Sequence, residues 1–354
     1  MGERILMKGN EAMAEAAIRA NCKLFFGYPI TPSSEALEYM AAKLPEAGGC
    51  FLQAESEVAA IYMIYGAAAG GARAMTATSA PGLSLMQEGI SYLVANQLPC
   101  LVINVCRAGP GLGRILPAQS DYKIVTKGGH GDCYTIALAP ASVQELAEMT
   151  FLAFDLAEKW RSPVTILTDA MLGQLMEPVE WKDSMVSVPK PNDYAIGGAE
   201  GRPRRMLGAP RTDDEMIESN VLLSQKYERI REEEQRSEAY LLDDADIVVT
   251  AYGTSARISM EAVDEAREQG IKAGLLRPIS VFPFPNKAFQ AVAPKVKGFL
   301  CVEMNMGQMV DDVRLAVDGK APVTFYGQGG GWTPSGQGVL EQILKLARSQ
   351  NGVR

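Results

Sequence analysis

The chain reads as an α/β protein with two open, mostly parallel sheets and helices on both faces. Three observations predict this class. Apolar runs such as Leu98-Pro99-Cys100-Leu101-Val102-Ile103 are continuous instead of alternating, as strands covered on both faces require. Helical segments separate these runs again and again, the pattern of crossover units that places neighbouring strands parallel. The 354 residues, 47% apolar and 21% charged, suffice for two cores and exclude a disordered chain.

The elements follow in order. Asn10 is placed to cap a helix to about Ala20, with Met13, Ala16, Ala17 and Ala20 at helical spacing. Leu24-Phe25-Phe26 reads as a short strand stopped by Gly27-Tyr28-Pro29. Thr31-Pro32 opens the next helix, since proline suits the first helical position. Phe51-Leu52-Gln53 is a strand, and Ser56 caps a helix from Glu57 to Gly70. Ala74 to Thr78 is a strand, Pro81-Gly82 turns into a helix, and Cys100 to Val105 is an apolar strand. Tyr134 to Leu138, the helix Ser142 to Lys159 and the strand Val164 to Thr168 complete the first unit.

From Pro189 the composition changes. Pro189, Pro191, Gly197, Gly198, Gly201, Pro203 and Pro210 punctuate a stretch with no sustained period, which reads as a linker. A very polar helix follows, roughly Asp213 to Glu238, either solvated and laced with i,i+4 pairs or laid across a partner subunit. The second unit begins near Asp246. Its strands are Ile247–Ala251, Ala273–Leu276, Phe299–Glu303 and Val323–Phe325, and its helices Ser255–Gln269, Gly307–Val317 and about Ser335–Ser349. The expected division is 1–188, 189–240 and 241–354.

Composition narrows the function. A net charge of −8 argues against nucleic acid as a partner. His130 is the only histidine, which excludes a zinc site built on several histidines. The cysteines Cys22, Cys50, Cys100, Cys106, Cys133 and Cys301 contain no C-x-x-C pair, and most sit in apolar, strand-like surroundings. They are expected to be buried thiols in a reducing cytoplasm. Met1 to Asn10 has no signal-peptide core. The apolar, charge-free stretch Gly89 to Cys106 is interrupted by Asn96, Gln97, Pro99 and Asn104, so no membrane span is expected.

Two glycine tracts invite a nucleotide reading. Gly109-Pro110-Gly111-Leu112-Gly113 lacks the G-x-G-x-x-G spacing and no helix follows it promptly. Gly327-Gln328-Gly329-Gly330-Gly331 reads as a loop before a helix. Glu57 is more informative. It stands in the first turn of a helix directly after a strand, where an acid favours the helix dipole, and the same reason serves Glu55. Ala59 and Ala60 follow it, and Gly66 stands nine residues on.

That pattern resembles the pyrimidine-binding half of thiamine diphosphate enzymes. Three further stretches narrow the resemblance: Gly27-Tyr28-Pro29-Ile30-Thr31-Pro32-Ser33-Ser34, Thr76-Ala77-Thr78-Ser79-Ala80-Pro81-Gly82, and Glu303-Met304-Asn305-Met306-Gly307-Gln308. With Pro283-Phe284-Pro285, the whole chain resembles the α-type subunit of 2-oxoacid:ferredoxin oxidoreductases. Gly111 to Gly113, Gln119-Ser120-Asp121-Tyr122 and Lys127 to Asp132 resemble the 2-oxoisovalerate (branched-chain) subgroup most.

The resemblance implies a pyrimidine-binding domain followed by a transketolase C-terminal-like domain. It implies that Glu57 faces the pyrimidine ring nitrogen of thiamine diphosphate, with Tyr28, Pro29, Ile30, Thr78 and Ser79 around the cofactor. Arg107 would hold the substrate carboxylate with its planar fork. Thr31 would hydrogen-bond the substrate, and its hydroxyl also suits a helix N-cap. His130, in a glycine loop, would shape the entrance without catalysing. No Gly-Asp-Gly…Asn motif for Mg²⁺ and diphosphate is present: Gly131-Asp132-Cys133 and Asp318-Gly319 are incomplete. The implied complex therefore adds a β-type subunit for the diphosphate and Mg²⁺, a γ-type subunit, and a ferredoxin-like subunit with [4Fe-4S] clusters. Coenzyme A and ferredoxin complete the reaction. The same reaction on 2-oxoglutarate or pyruvate, half of another split thiamine enzyme and a non-catalytic scaffold are the competing readings.

Overall fold

The computed structural model describes residues 3–189, 194–196 and 207–351. The larger sheet orders its strands Ser280–Phe282, Ile136–Leu138, Pro163–Asp169, Cys100–Ala108, Ala74–Thr78, Leu24–Gly27 and Cys50–Gln53. All neighbours are parallel except the edge strand Ser280–Phe282, which runs antiparallel to Ile136–Leu138. Arg114–Pro117 folds back on the end of Cys100–Ala108. The smaller sheet orders Ser237–Tyr240, Ala273–Pro278, Ile247–Thr250, Gly298–Glu303 and Val323–Gly327, with only its first strand antiparallel. Both are the α/β sheets that the sequence predicts.

Burial explains the continuous apolar runs. Every residue of Cys100–Ala108 and of Pro163–Asp169 is buried, because helices cover both faces. Each fully buried Leu, Ile or Val side chain there contributes roughly 1.5–3 kcal/mol. Ser56 Oγ accepts the Ala59 N–H at 3.1 Å, as its capping position predicts. Ser142 Oγ likewise accepts the Glu145 N–H at 3.1 Å. The Glu145 carboxylate then receives both ends of the Arg277 fork at 2.6 and 2.8 Å, pinning the smaller sheet to the larger.

Several elements depart from the sequence reading. Asn10 does not cap: it lies inside the helix Gly9–Arg19 and its Nδ2 donates to the Pro32 carbonyl at 2.7 Å and to Glu35 Oε2 at 2.9 Å. Thr31-Pro32 does not open the next helix, which starts at Ser34 after a turn pinned by Ser33 Oγ on the Ile30 carbonyl. Thr31 is therefore not an N-cap. The polar helix spans Asp213–Glu233 and is not simply solvated. Leu223, Tyr227 and Ile230 bury one face of it, and the Tyr227 hydroxyl donates to the Asp132 carbonyl at 2.8 Å. Ser237 and Glu238, read as its end, belong instead to the edge strand Ser237–Tyr240.

Two short pairings escaped the pattern. Glu3–Lys8 pairs with Met176–Trp181, and Ser280–Phe282, from beyond residue 241, extends the larger sheet. Pro191, Gly197, Gly198, Gly201 and Pro203 lie outside the described residues. Five cysteines are buried and Cys50 is exposed. Burial pushes the Cys22 thiol up to about 12, the behaviour of a small hydrophobe. No helix among the described residues is long and apolar enough to cross a membrane.

Candidate active site

Parallel strands present their carboxyl ends along one edge, where open-sheet ligands bind. Four adjacent strands, Cys50–Gln53, Leu24–Gly27, Ala74–Thr78 and Cys100–Ala108, lead into the segments that carry Glu57, Tyr28–Thr31, Thr78-Ser79 and Arg107. Residues scattered from 28 to 107 thus share one edge.

Glu57 is the first residue of the helix Glu57–Ala69 and only 5% exposed. Its carboxyl group makes no hydrogen bond or ion pair among the described residues. An almost buried carboxyl group with no partner among the described residues suits a ligand that supplies one. Gly82 makes the space. A Cβ at that position would stand 2.5 Å from Glu57 Oε1 and closer still to Thr78 Oγ1. Thr78 and Ser79 are fully buried beside it, and Ser79 Oγ has no partner. Tyr28 and Pro29 are exposed and Ile30 half-buried, so they form a rim instead of a floor.

Arg107 and Thr31 form a second cluster. Arg107 Nη1 donates to the Thr31 carbonyl and Nη2 to the Leu112 carbonyl, each at 2.8 Å. Its Nε is buried and unpartnered. The arginine therefore already holds two loops together while keeping donors in reserve. Asp121 lies nearby, accepting from Asn104 Nδ2 at 2.8 Å. Burial raises its pKa, against the hydrogen bonds of Asn104 and Cys106 and the charge of Arg107.

A cleft of about 920 Å³ separates the two sheets at this edge. Ala80 and Pro81, next to Gly82, and Gly109 to Gly111, just beyond Arg107, form one wall. Asn305, Met306, Gln308 and Gly327 to Gly330 form the other. The glycine tracts are walls of this cleft. Gly113 has φ +63° and a Cβ there would strike the Ala108 carbonyl, so only glycine makes that turn. His130 lines a different groove, beside Tyr92 and Tyr62, and packs edge-on to Tyr92 at 5.9 Å. It does not border the cleft.

The sequence reading missed Gly82, Gln119 and Asp121 as site residues. Glycine in the first turn of a helix was a signal for Gly82, because propensity alone disfavours it there. Gln119 and Asp121 stand in a stretch that carries the subgroup resemblance, but nothing in it marks a site role.

The donor set fits a thiamine pyrimidine: an orphaned, buried carboxyl beneath a glycine cradle can share a proton with a ring nitrogen. Fold and site define half of a thiamine-dependent enzyme, one that needs a partner to complete it. The chain belongs to the pyruvate flavodoxin/ferredoxin oxidoreductase family, whose thiamine diphosphate-binding part matches residues 15–239 and whose core domain II matches residues 245–339. It is 47% identical to the ketoisovalerate oxidoreductase subunit VorB of Methanothermobacter thermautotrophicus, over 97% of each chain. It is 36% identical to the 2-oxoglutarate synthase subunit KorA of the same organism, over 98% of this chain and 100% of that one. Among solved structures it is similar to the 2-oxoglutarate:ferredoxin oxidoreductase from Magnetococcus marinus, which has 2-oxoglutarate, coenzyme A and succinyl-CoA bound. The TM-score is 0.88 at 26% identity, covering 98% of this chain and 65% of that one. A split-gene transketolase shares the fold at 14% identity and a TM-score of 0.63, covering 97% of this chain and 98% of that one.

Proposed function

We propose that this chain supplies the pyrimidine side of an active site shared between subunits. The complete complex oxidises a branched-chain 2-oxoacid, best 2-oxoisovalerate, to its acyl-CoA and passes the electrons to ferredoxin. The observation that carries this reading is Glu57: buried, unpartnered, and cradled by Gly82 at the carboxyl edge.

Thiamine diphosphate, when bound, provides the carbon nucleophile and electron sink for decarboxylation. Glu57 holds a proton against the pyrimidine nitrogen. Thr78 and Ser79 close the floor beneath it, and Tyr28, Pro29 and Ile30 border the ring from the rim. Arg107 meets the oxoacid carboxylate with the donors its backbone bonds leave free, while holding the loop that presents Thr31. A carboxylate fixed by a planar fork is oriented for CO₂ to depart.

The cleft supports an apolar substrate tail. Among its described lining residues Asp121 is the one ionisable group, and Arg107, two residues before the Gly109–Gly111 wall, is not one of them. A second carboxylate, as in 2-oxoglutarate, would meet no counter-charge there. Ile124, Met306 and Phe325 offer apolar contact instead.

In this reading the units run 1–188, 189–240 and 241–354, with Ser237–Tyr240 joining the smaller sheet and Ser280–Phe282 reaching back to the first unit. A β-type subunit brings Mg²⁺ and the diphosphate ligands, a γ-type subunit joins it, and a ferredoxin-like subunit carries the [4Fe-4S] clusters. Coenzyme A takes up the acyl group, in the cytoplasm. The test is dye-linked turnover by the purified complex with 2-oxoisovalerate, pyruvate and 2-oxoglutarate, each with and without coenzyme A. Fastest CoA-dependent reduction with 2-oxoisovalerate is expected. Preference for another acid overturns the substrate, and no reduction with any acid overturns the reaction.

A further inference from the structure

Gln119 is only 1% exposed and lies between the strand Arg114–Pro117 and the helix Tyr122–Lys127, in no regular element. Its polar atoms are all taken by segments that follow two strands of the smaller sheet. The backbone N–H donates to the Met304 carbonyl at 3.0 Å. The backbone carbonyl accepts from the Tyr252 hydroxyl at 3.0 Å and from Asn305 Nδ2 at 2.8 Å. Side-chain Oε1 accepts from Ser255 Oγ at 2.7 Å and the Met304 N–H at 3.1 Å, while Nε2 donates to the Tyr252 carbonyl at 2.8 Å. Only an amide among uncharged side chains accepts twice at one end and donates at the other, and asparagine is one methylene shorter.

The neighbours of Gln119 face the cleft. Ser120 and Asp121 line one wall, and the Ser120 carbonyl accepts Gln308 Nε2 at 2.7 Å from the other. Two residues upstream, Pro117 pairs with Arg107 in the short antiparallel hairpin. The opposite wall is held as firmly. Glu303 accepts the N–H groups of Met309 and Val310 at 2.8 and 3.0 Å and Asn305 Nδ2 at 2.8 Å, which fixes the Asn305–Gln308 turn. One buried amide thus joins the segment that carries Arg107 to the turn that forms the far wall.

We propose that Gln119 is a positioning residue for the oxoacid reaction. It sets the separation of the cleft walls and, through Pro117, the placement of Arg107. This rests on the function proposed above, with the cleft as the substrate's place. A purely structural clasp would cost stability and leave the folded enzyme's kinetics alone. A positioning clasp alters the kinetics of folded enzyme, because small displacements of reacting groups are expensive.

The test uses the complex assembled with its partner subunits. Gln119→Met keeps the backbone bonds and the side-chain volume but removes three side-chain hydrogen bonds. Ser255→Ala removes one of them and serves if the first variant does not fold. For folded complex matched by circular dichroism and size, kcat/KM for the oxoacid should fall roughly 10- to 100-fold in Gln119→Met. A smaller loss in the same direction is expected in Ser255→Ala. Amide exchange should quicken at Ser120–Lys127 and Asn305–Gln308 and stay unchanged in the helix that begins with Glu57. Wild-type kcat/KM in either folded variant, whatever its melting temperature, overturns the proposal. If the unsubstituted complex turns over no 2-oxoacid, the functional reading fails instead. The exchange data then decide the clasp, and unchanged exchange at both segments overturns it.

Discussion

Gly82 gives Glu57 its room: a side chain on Gly82 would begin 2.5 Å from Glu57 Oε1. The two residues come from different helices, whose first turns meet over the carboxyl edge of the larger sheet. Gly82→Ala should therefore displace the carboxyl group as well as crowd Thr78. Overpacking of this kind costs about 1–3 kcal/mol. A lower melting temperature together with weaker thiamine diphosphate binding by the assembled complex is expected. Unchanged cofactor affinity would separate the cradle from the cofactor.

Glu57→Gln tests the carboxyl itself. The group makes no hydrogen bond among the described residues, so an isosteric amide should not lower stability. Turnover should fall roughly 10²- to 10⁴-fold, the range of a general acid–base group. Exchange of the cofactor's C2 proton, followed by NMR in the assembled complex, reads the same loss. Normal exchange would remove Glu57 from the mechanism.

Arg107→Lys keeps the charge but replaces a planar fork, whose separate nitrogens reach the two carbonyls, with a single-point ammonium. Both the Thr31 loop and the Leu112 loop should loosen, since each depends on a guanidinium bond of 2.8 Å. The expected result is a lower kcat and a higher oxoacid KM with cofactor affinity unchanged. A fall in cofactor affinity with kcat/KM intact would place Arg107 on the cofactor side.

Glu234 offers a pH test away from the site. It accepts from Trp160 Nε1 at 2.8 Å and Lys159 Nζ at 2.6 Å. Burial works to raise its pKa, but those hydrogen bonds and the charges of Lys159 and Arg236 outweigh it and hold the carboxyl below 4.5. A depressed folded value means stability that is present above the unfolded pKa and lost as pH falls through the folded one. Glu234→Gln should cost about 1–3 kcal/mol at pH 7, as bonds to a charged group do. The gap to the unsubstituted protein should narrow below pH 4.5. Denaturant melts across that range check it, and a constant gap would contradict the linkage.

The sequence alone determined the α/β class, because continuous apolar strands and capped helices are local patterns written in neighbouring residues. Cys100 to Val105 and the Ser56 cap are legible without any fold. It also placed Glu57 at a helix start after a strand, since both signals lie within a few residues. Short contacts decided by distant partners were not legible. Asn10 looks like a cap but reaches 22 residues ahead to the Pro32 carbonyl, because the helix that contains it packs against that turn. Ser280–Phe282 has no strand signature strong enough to send it to the other sheet; pairing with Ile136–Leu138 does that. Gln119 is an ordinary loop glutamine until Tyr252, Ser255 and Met304, more than 130 residues away, surround it. Hydrogen bonding is satisfied in three dimensions, so which polar group is buried, cradled or left unpartnered is settled only when the two sheets meet.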